Sequence, residues 1–122
     1  MKIRIKGNSV RYRLTKTDVK NLSTTGYLED CTSFGSTEFK YALQTAEGLE
    51  TLSATYLNNR ILVLAPLSFA KDWPSNEIIS LGAQVTLTGS SQLYLLIEKD
   101  YACLDHTDED QADQYENPNK TC

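Results

Sequence analysis

The residues most able to do chemistry are cations. Arg4, Lys6, Arg11 and Arg13 alternate with apolar residues in the opening stretch MKIRIKGNSVRYRL. Alternation at period 2 marks half-buried strands, whose successive side chains point to opposite faces. Folding about Asn8-Ser9 pairs Lys6 with Arg11 and Arg4 with Arg13. It gathers the four cations on one face and Ile3, Ile5, Tyr12 and Leu14 on the other. Like charges directly opposite one another on a sheet repel. Such a face either splays into solvent or meets an anion. Glu38, Lys40 and Glu98 lie on the polar sides of their own strands, and would join the cations if the sheet closed around a phosphate-rich molecule.

The second suggestive stretch is acidic. Asp105, Asp108, Glu109, Asp110, Asp113 and Glu116 fall within twelve residues. Asp108 and Asp110 fit the first and third positions of a calcium loop, but Ala112 holds the fifth and no glycine holds the sixth. Cys103, Asp105 and His106 stand close together. One histidine and three widely spaced cysteines (Cys31, Cys103, Cys122) nevertheless make no zinc motif and no disulfide framework. No metal or cofactor is expected. Gly-rich phosphate loops, nucleophile elbows and paired-cysteine redox motifs are absent, so the chain leans away from catalysis.

Charge is segregated along the chain. Its 122 residues carry a formal −4, yet residues 1–20 hold seven Lys/Arg against one Asp. Residues 98–122 hold eight Asp/Glu against two Lys. No apolar run approaches a membrane span, and no apolar leader follows the basic start. With an odd cysteine count, these features point to reduced thiols and a cytoplasmic location, away from membranes.

The elements that must position these groups can be read in turn. Thr15 and Asp18 form a helix-start pair, with Leu14 and Val19 at the staple positions and Gly26 as the stop, which predicts a helix over about 16–24. Tyr27 to Ser33 reads as extended. Glu47-Gly48 and Asn58-Asn59 are turn dipeptides. Folding about them pairs Leu43 with Leu52 and Ala54 with Val63, and predicts a three-stranded antiparallel meander with one apolar face. Pro66 suits the first turn of a short helix that Pro74 ends, with Leu67, Ala70 and Trp73 facing the core. A second hairpin about Gly89-Ser90-Ser91 sets Leu87 against Leu93 and Val85 against Leu95. The apolar run from Leu93 to Ile97 suggests cover on both faces. No internal repeat shows at a solenoid or propeller period. The tally is α+β: about eight short antiparallel strands forming a curled sheet or barrel-like core, with two short helices. Residues 1–104 make one globular domain, followed by an acidic segment at 105–122.

Two stretches carry a resemblance: Ile3–Leu14, and Ile97–Asp105 with the closing Tyr115-Glu-Asn-Pro118. They resemble an uncharacterised family of small soluble bacterial proteins with no assigned activity. A fainter likeness is to triphosphate tunnel proteins, antiparallel barrels lined by alternating Lys/Arg and Glu. Their first strand alternates glutamates before a lysine, whereas Lys2-Ile-Arg4-Ile-Lys6 holds none.

These readings favour a non-catalytic soluble domain. Its basic face would pair with carboxylates among Glu98–Glu116 of its own acidic segment, or with an anionic small molecule or protein. The alternative is a barrel that binds or hydrolyses a phosphorylated small molecule through its Lys/Arg and Glu lining. Nucleic acid is not expected, because the sequence pI is about 4.9 and Tyr12 falls on the apolar side, leaving no exposed aromatic platform.

Overall fold

The computed structural model describes residues 1–101 together with Asp113 and Tyr115. Two strands open the chain, β1 (Lys2–Ile5) and β2 (Ser9–Leu14), and helix α1 (Lys16–Thr25) follows. Then come β3 (Tyr27–Ser33), β4 (Glu38–Ala46), β5 (Ser53–Leu57), β6 (Arg60–Pro66) and helix α2 (Leu67–Asp72). A 3₁₀ turn (Trp73–Ser75), β7 (Ser80–Thr86) and β8 (Gln92–Lys99) complete the order.

Local chemistry sets α1. The Thr15 hydroxyl accepts the Asp18 N–H at 3.2 Å, and the Asp18 carboxylate accepts the Thr15 N–H at 3.0 Å. This reciprocal capping box satisfies two of the orphan donors at the helix start. At the other end Gly26 is left-handed, with φ of 77°, and donates to the Leu22 carbonyl. A Cβ there would lie 2.9 Å from the Thr45 hydroxyl oxygen, so both conformation and space call for glycine.

The strands form two four-stranded sheets, and both are mixed. The first has the order β1-β2-β8-β7 and the second the order β3-β4-β6-β5. In each, two antiparallel hairpins meet along a central parallel pair, β2 with β8 and β4 with β6. All four hairpin turns therefore lie at one end of the strands, and the helices at the other.

This arrangement is an internal repeat. A ββαββ unit, β1 to β4, recurs as β5 to β8, and its two hairpins swap sheets. Equivalent hydrogen bonds recur with it. Tyr94 N–H donates to the Asn8 carbonyl at 3.0 Å, and Lys40 N–H to the Asn59 carbonyl at 2.9 Å. Lys99 N–H donates to the Ile79 carbonyl as Thr45 N–H donates to that of Gly26. The turns match as well, with φ of 56° at Gly7 and 54° at Asn58. The repeat resides in burial pattern and pairing. Identity is almost absent between the halves, which is why no sequence period reveals it.

The core joins both sheets and both helices. Tyr12, Leu14, Leu95 and Ile97 come from the first sheet, and Leu43, Ile61, Val63 and Ala65 from the second. Val19, Leu22, Ala70 and Trp73 close the helix end. Each fully buried large apolar side chain contributes about 1.5–3 kcal/mol. Trp73, with no exposed surface, also donates its indole N–H to the Ile78 carbonyl at 2.7 Å.

Several expectations are corrected. The first hairpin turns about Gly7-Asn8, so Arg4 pairs with Arg11 and Lys2 with Arg13. Gly7 takes the positive φ, and Lys6 N–H closes the turn on the Ser9 carbonyl at 3.2 Å. Moving the turn by one residue shifts the register by two, so the faces survive. The predicted meander does not form. β4 lies parallel to β6, setting Leu43 against Val63, and β5 pairs only with β6. Alternation encodes which face is apolar, not which strand is the neighbour. The last hairpin sets Val85 against Leu93, and Leu87 N–H spans its loop to the Ser91 carbonyl. β8 is covered on one face only, because Tyr94 is 53% exposed. Finally, the sheets do not close into a barrel, since no ladder among the described residues joins them.

Candidate anion-binding face

The outer face of the first sheet carries the cations. Register places Lys2, Arg13, Glu98 and Ser80 in one row across the sheet, and Arg4, Arg11, Leu96 and Gly82 in the next. Parallel pairing of β2 with β8 brings Glu98 directly beside Arg13, whose Nε donates to Glu98 Oε1 at 2.8 Å. The Nε of Arg11 lies 3.6 Å from the same oxygen. Lys2 Nζ lies 3.4 Å from the buried carboxylate of Asp100. Arg4, and Lys6 in the turn, form no ion pair with any described residue. Among the described residues, five cations of this hairpin thus lie near two carboxylates, Glu98 and Asp100.

Beside Arg11 the sheet is hollowed. Gly82 has no side chain, and a Cβ there would come 3.3 Å from Leu96 Cδ1. Ser9, Gln84, Tyr94 and Leu96 surround it in a shallow groove of about 470 Å³. Tyr94 presents an exposed ring on the same face as the arginines. Sequence reasoning missed it, because an uninterrupted apolar run hides which residues face out.

Glu38 and Lys40 are not brought to this face. They lie on β4, on the outer face of the second sheet, among different partners. Glu38 accepts from the exposed Cys31 thiol at 2.6 Å, a contact that raises the thiol pKa and suppresses thiolate chemistry. Lys40 neighbours Arg60 in register. The Tyr27 hydroxyl hydrogen-bonds to Glu29, and this contact, joined by Lys40 and Arg60, holds the Glu29 carboxyl below its usual range. The tunnel lining predicted from Glu38, Lys40, Glu98 and the basic hairpin is therefore split between two sheets that do not close. Among the described residues no group of three or more His, Cys, Asp or Glu could hold a metal ion.

The described part of the acidic segment docks elsewhere. Asp113 Oδ1 accepts the Thr17 N–H at 3.2 Å and its hydroxyl at 3.1 Å, and the Asp113 carbonyl accepts the Lys16 N–H at 3.0 Å. It caps the start of α1, where free N–H groups and the helix dipole favour an anion. Tyr115 donates its N–H to the Asp100 carbonyl, and its ring centre lies 5.3 Å from that of Tyr101. The expected pairing of Asp105, Asp108, Glu109, Asp110 and Glu116 with the hairpin falls outside the described residues. So do Cys103, Cys122 and His106.

The fold and face define a two-sheet α+β domain with a basic outer surface. Over residues 1–119 the chain matches the family described as "Family of unknown function (DUF7009)", and it belongs to that family. No curated protein matches the chain, and no solved structure does. Among the described residues no helix is long and apolar enough to cross a membrane.

Proposed function

We propose that this is a non-catalytic binding domain that takes an anionic partner, a small molecule or an acidic protein segment, on the outer face of its first sheet. One observation carries this reading: Arg4, Arg11 and Arg13 share that face, and Glu98 is the only carboxylate in their register rows among the described residues. Arg4 and Arg11 stand directly opposite one another, a repulsion that a bound anion relieves. Glu98 occupies the arginines in the meantime, through part-exposed pairs worth only about 0–1 kcal/mol each. A multivalent anion can therefore displace it. The groove beside Arg11 gives such a partner a polar and aromatic wall. We further place the domain in the cytoplasm, a reading that the exposed, free Cys31 thiol supports.

Titration with inorganic polyphosphate tests the proposal. Binding at low salt should weaken as salt rises. The double variant R4E/R11E should lose roughly tenfold or more in affinity, and E98Q should gain severalfold. Polyphosphate binding that ignores R4E/R11E, or no binding even at low salt, would overturn it.

A further inference from the structure

The edge of a sheet leaves backbone N–H and C=O groups unpaired, and proteins blunt it with charges, proline or a short strand. Both sheets have one edge blunted by charge. β1 has four residues and carries Lys2 and Arg4. β3 carries Glu29 and Asp30, and the Met1 ammonium sits 3.2 Å from Asp30. The edge at β5 is uncharged but short, with five residues. β7 has neither protection. Its seven residues, SLGAQVT, include no charge and no proline. Residues 78–97 as a whole hold no Asp, Glu, Lys or Arg, in a chain with 16 Asp/Glu and 12 Lys/Arg.

The ladder with β8 fixes which groups this edge offers. Lys99 N–H donates to the Ile79 carbonyl, and Leu87 N–H to that of Ser91. Hydrogen-bonded positions alternate along an antiparallel pair. The odd residues of β7 therefore bond to β8, while Ser80, Gly82, Gln84 and Thr86 turn their backbone groups to the open edge. No described residue pairs with them there. Leu81, Ala83 and Val85 pack against the core but are only partly buried. Ile79 and Leu87, just outside the strand at either end, are 46% and 40% exposed.

These residues are disposed symmetrically about Ala83. We infer that β7 pairs antiparallel with β7 of a second copy of the chain, about a two-fold axis at Ala83. In that register Ser80 exchanges backbone hydrogen bonds with Thr86, and Gly82 with Gln84, so every outward group is used. The longest outward side chain, Gln84, meets the strand's one glycine. On the core side Leu81 meets Val85, exposed Ile79 meets exposed Leu87, and Ala83 meets its own copy where the strands approach most closely. A slip of two positions separates Ile79 from Leu87 and idles outward groups. The contact is isologous and closes at two copies. It joins the two first sheets into one, whose single outer face carries both basic hairpins. Pairing needs no anion.

Sedimentation of the full chain from micromolar to millimolar concentration should show a monomer–dimer equilibrium. Q84P removes an N–H that only the second copy uses, and proline is tolerated on such an edge. It should weaken dimerisation roughly tenfold or more, with the circular dichroism of the parent. L87K, at an exposed position, sets a charge against Ile79 and should do the same. Ile79 and Leu87 lie roughly 27 Å apart within one copy and face each other only between copies. The double variant I79E/L87K should therefore dimerise more tightly than L87K alone. A parent that stays monomeric throughout, leaving the edge to a foreign strand, overturns the inference. So does a dimer that survives both Q84P and L87K, or a double variant no tighter than L87K.

Discussion

The Lys99 ammonium lies 4.8 Å from the centre of the Tyr115 ring. It also donates to the Asn76 carbonyl at 2.8 Å and stands 5.9 Å from the Trp73 ring centre. No carboxylate among the described residues forms an ion pair with it, although Lys99 is only 4% exposed. Ring faces and one carbonyl replace its water, and they do so incompletely. Burial therefore pulls its pKa below 10.5, with the more distant Glu77 opposing.

The K99M variant should reveal that cost. Between the depressed folded value and the ordinary one, the unfolded chain binds a proton the folded chain has released, so Lys99 makes stability rise with pH across that window. At neutral pH K99M should unfold at an equal or higher denaturant concentration than the parent, since an apolar side chain of similar length fills the site without a buried charge. That advantage should shrink at alkaline pH. Denaturant midpoints for both proteins at neutral and alkaline pH check this, and a pH-independent difference contradicts it.

Asp113 makes the opposite prediction. Burial opposes its ionisation, yet hydrogen bonds from Thr15 and Thr17, with the charge of Lys16, outweigh it and hold the carboxyl below its ordinary 3.8. Its stabilising effect is present at neutral pH and is lost as pH falls below that value. D113A should cost about 0.5–1 kcal/mol at neutral pH, the low end for a lost helix cap, because the group is part-exposed. In strong acid the two proteins should unfold alike. Urea melts at the two pH values decide it.

Gly26 has no substitute in its place. Alanine would have to hold the left-handed conformation and displace the Thr45 hydroxyl, 2.9 Å from the new Cβ. G26A should lose about 1–2 kcal/mol, from left-handed strain and the contact together. A thermal melt that matches the parent would refute this.

How much of this was legible depended on the distance over which the information acts. Helix α1 was readable because Thr15, Asp18 and Gly26 cap it from within a dozen residues. The apolar faces were readable because parity along a strand survives an error of two in register, as the first hairpin illustrates. Neighbour choice was not. Nothing near Leu43 says that it meets Val63 from a parallel strand, because that pairing depends on the whole of β6 finding β4. The same blindness concealed part of the candidate face. Arg4, Arg11 and Arg13 could be assigned to one side, and Glu98 was a candidate, but the β2–β8 pairing that seats it beside Arg13 joins the two ends of the domain. Tyr94 entered the site through that pairing alone.

The nesting of one sheet inside the other also has a consequence for biosynthesis. The second sheet is built from one unbroken stretch, β3 to β6, and can form while the chain is still being made. The first sheet joins the β1–β2 and β7–β8 hairpins, so Arg13 waits for Glu98, 85 residues further on, while the whole second sheet is made. Until β8 leaves the ribosome, the apolar side of β2, with Tyr12 and Leu14, has no sheet to complete. Such late, long-range pairing is slow and exposes sticky surface. A nascent chain is therefore vulnerable to aggregation until β8 arrives, and one terminated before β8 never acquires the basic face in its paired form.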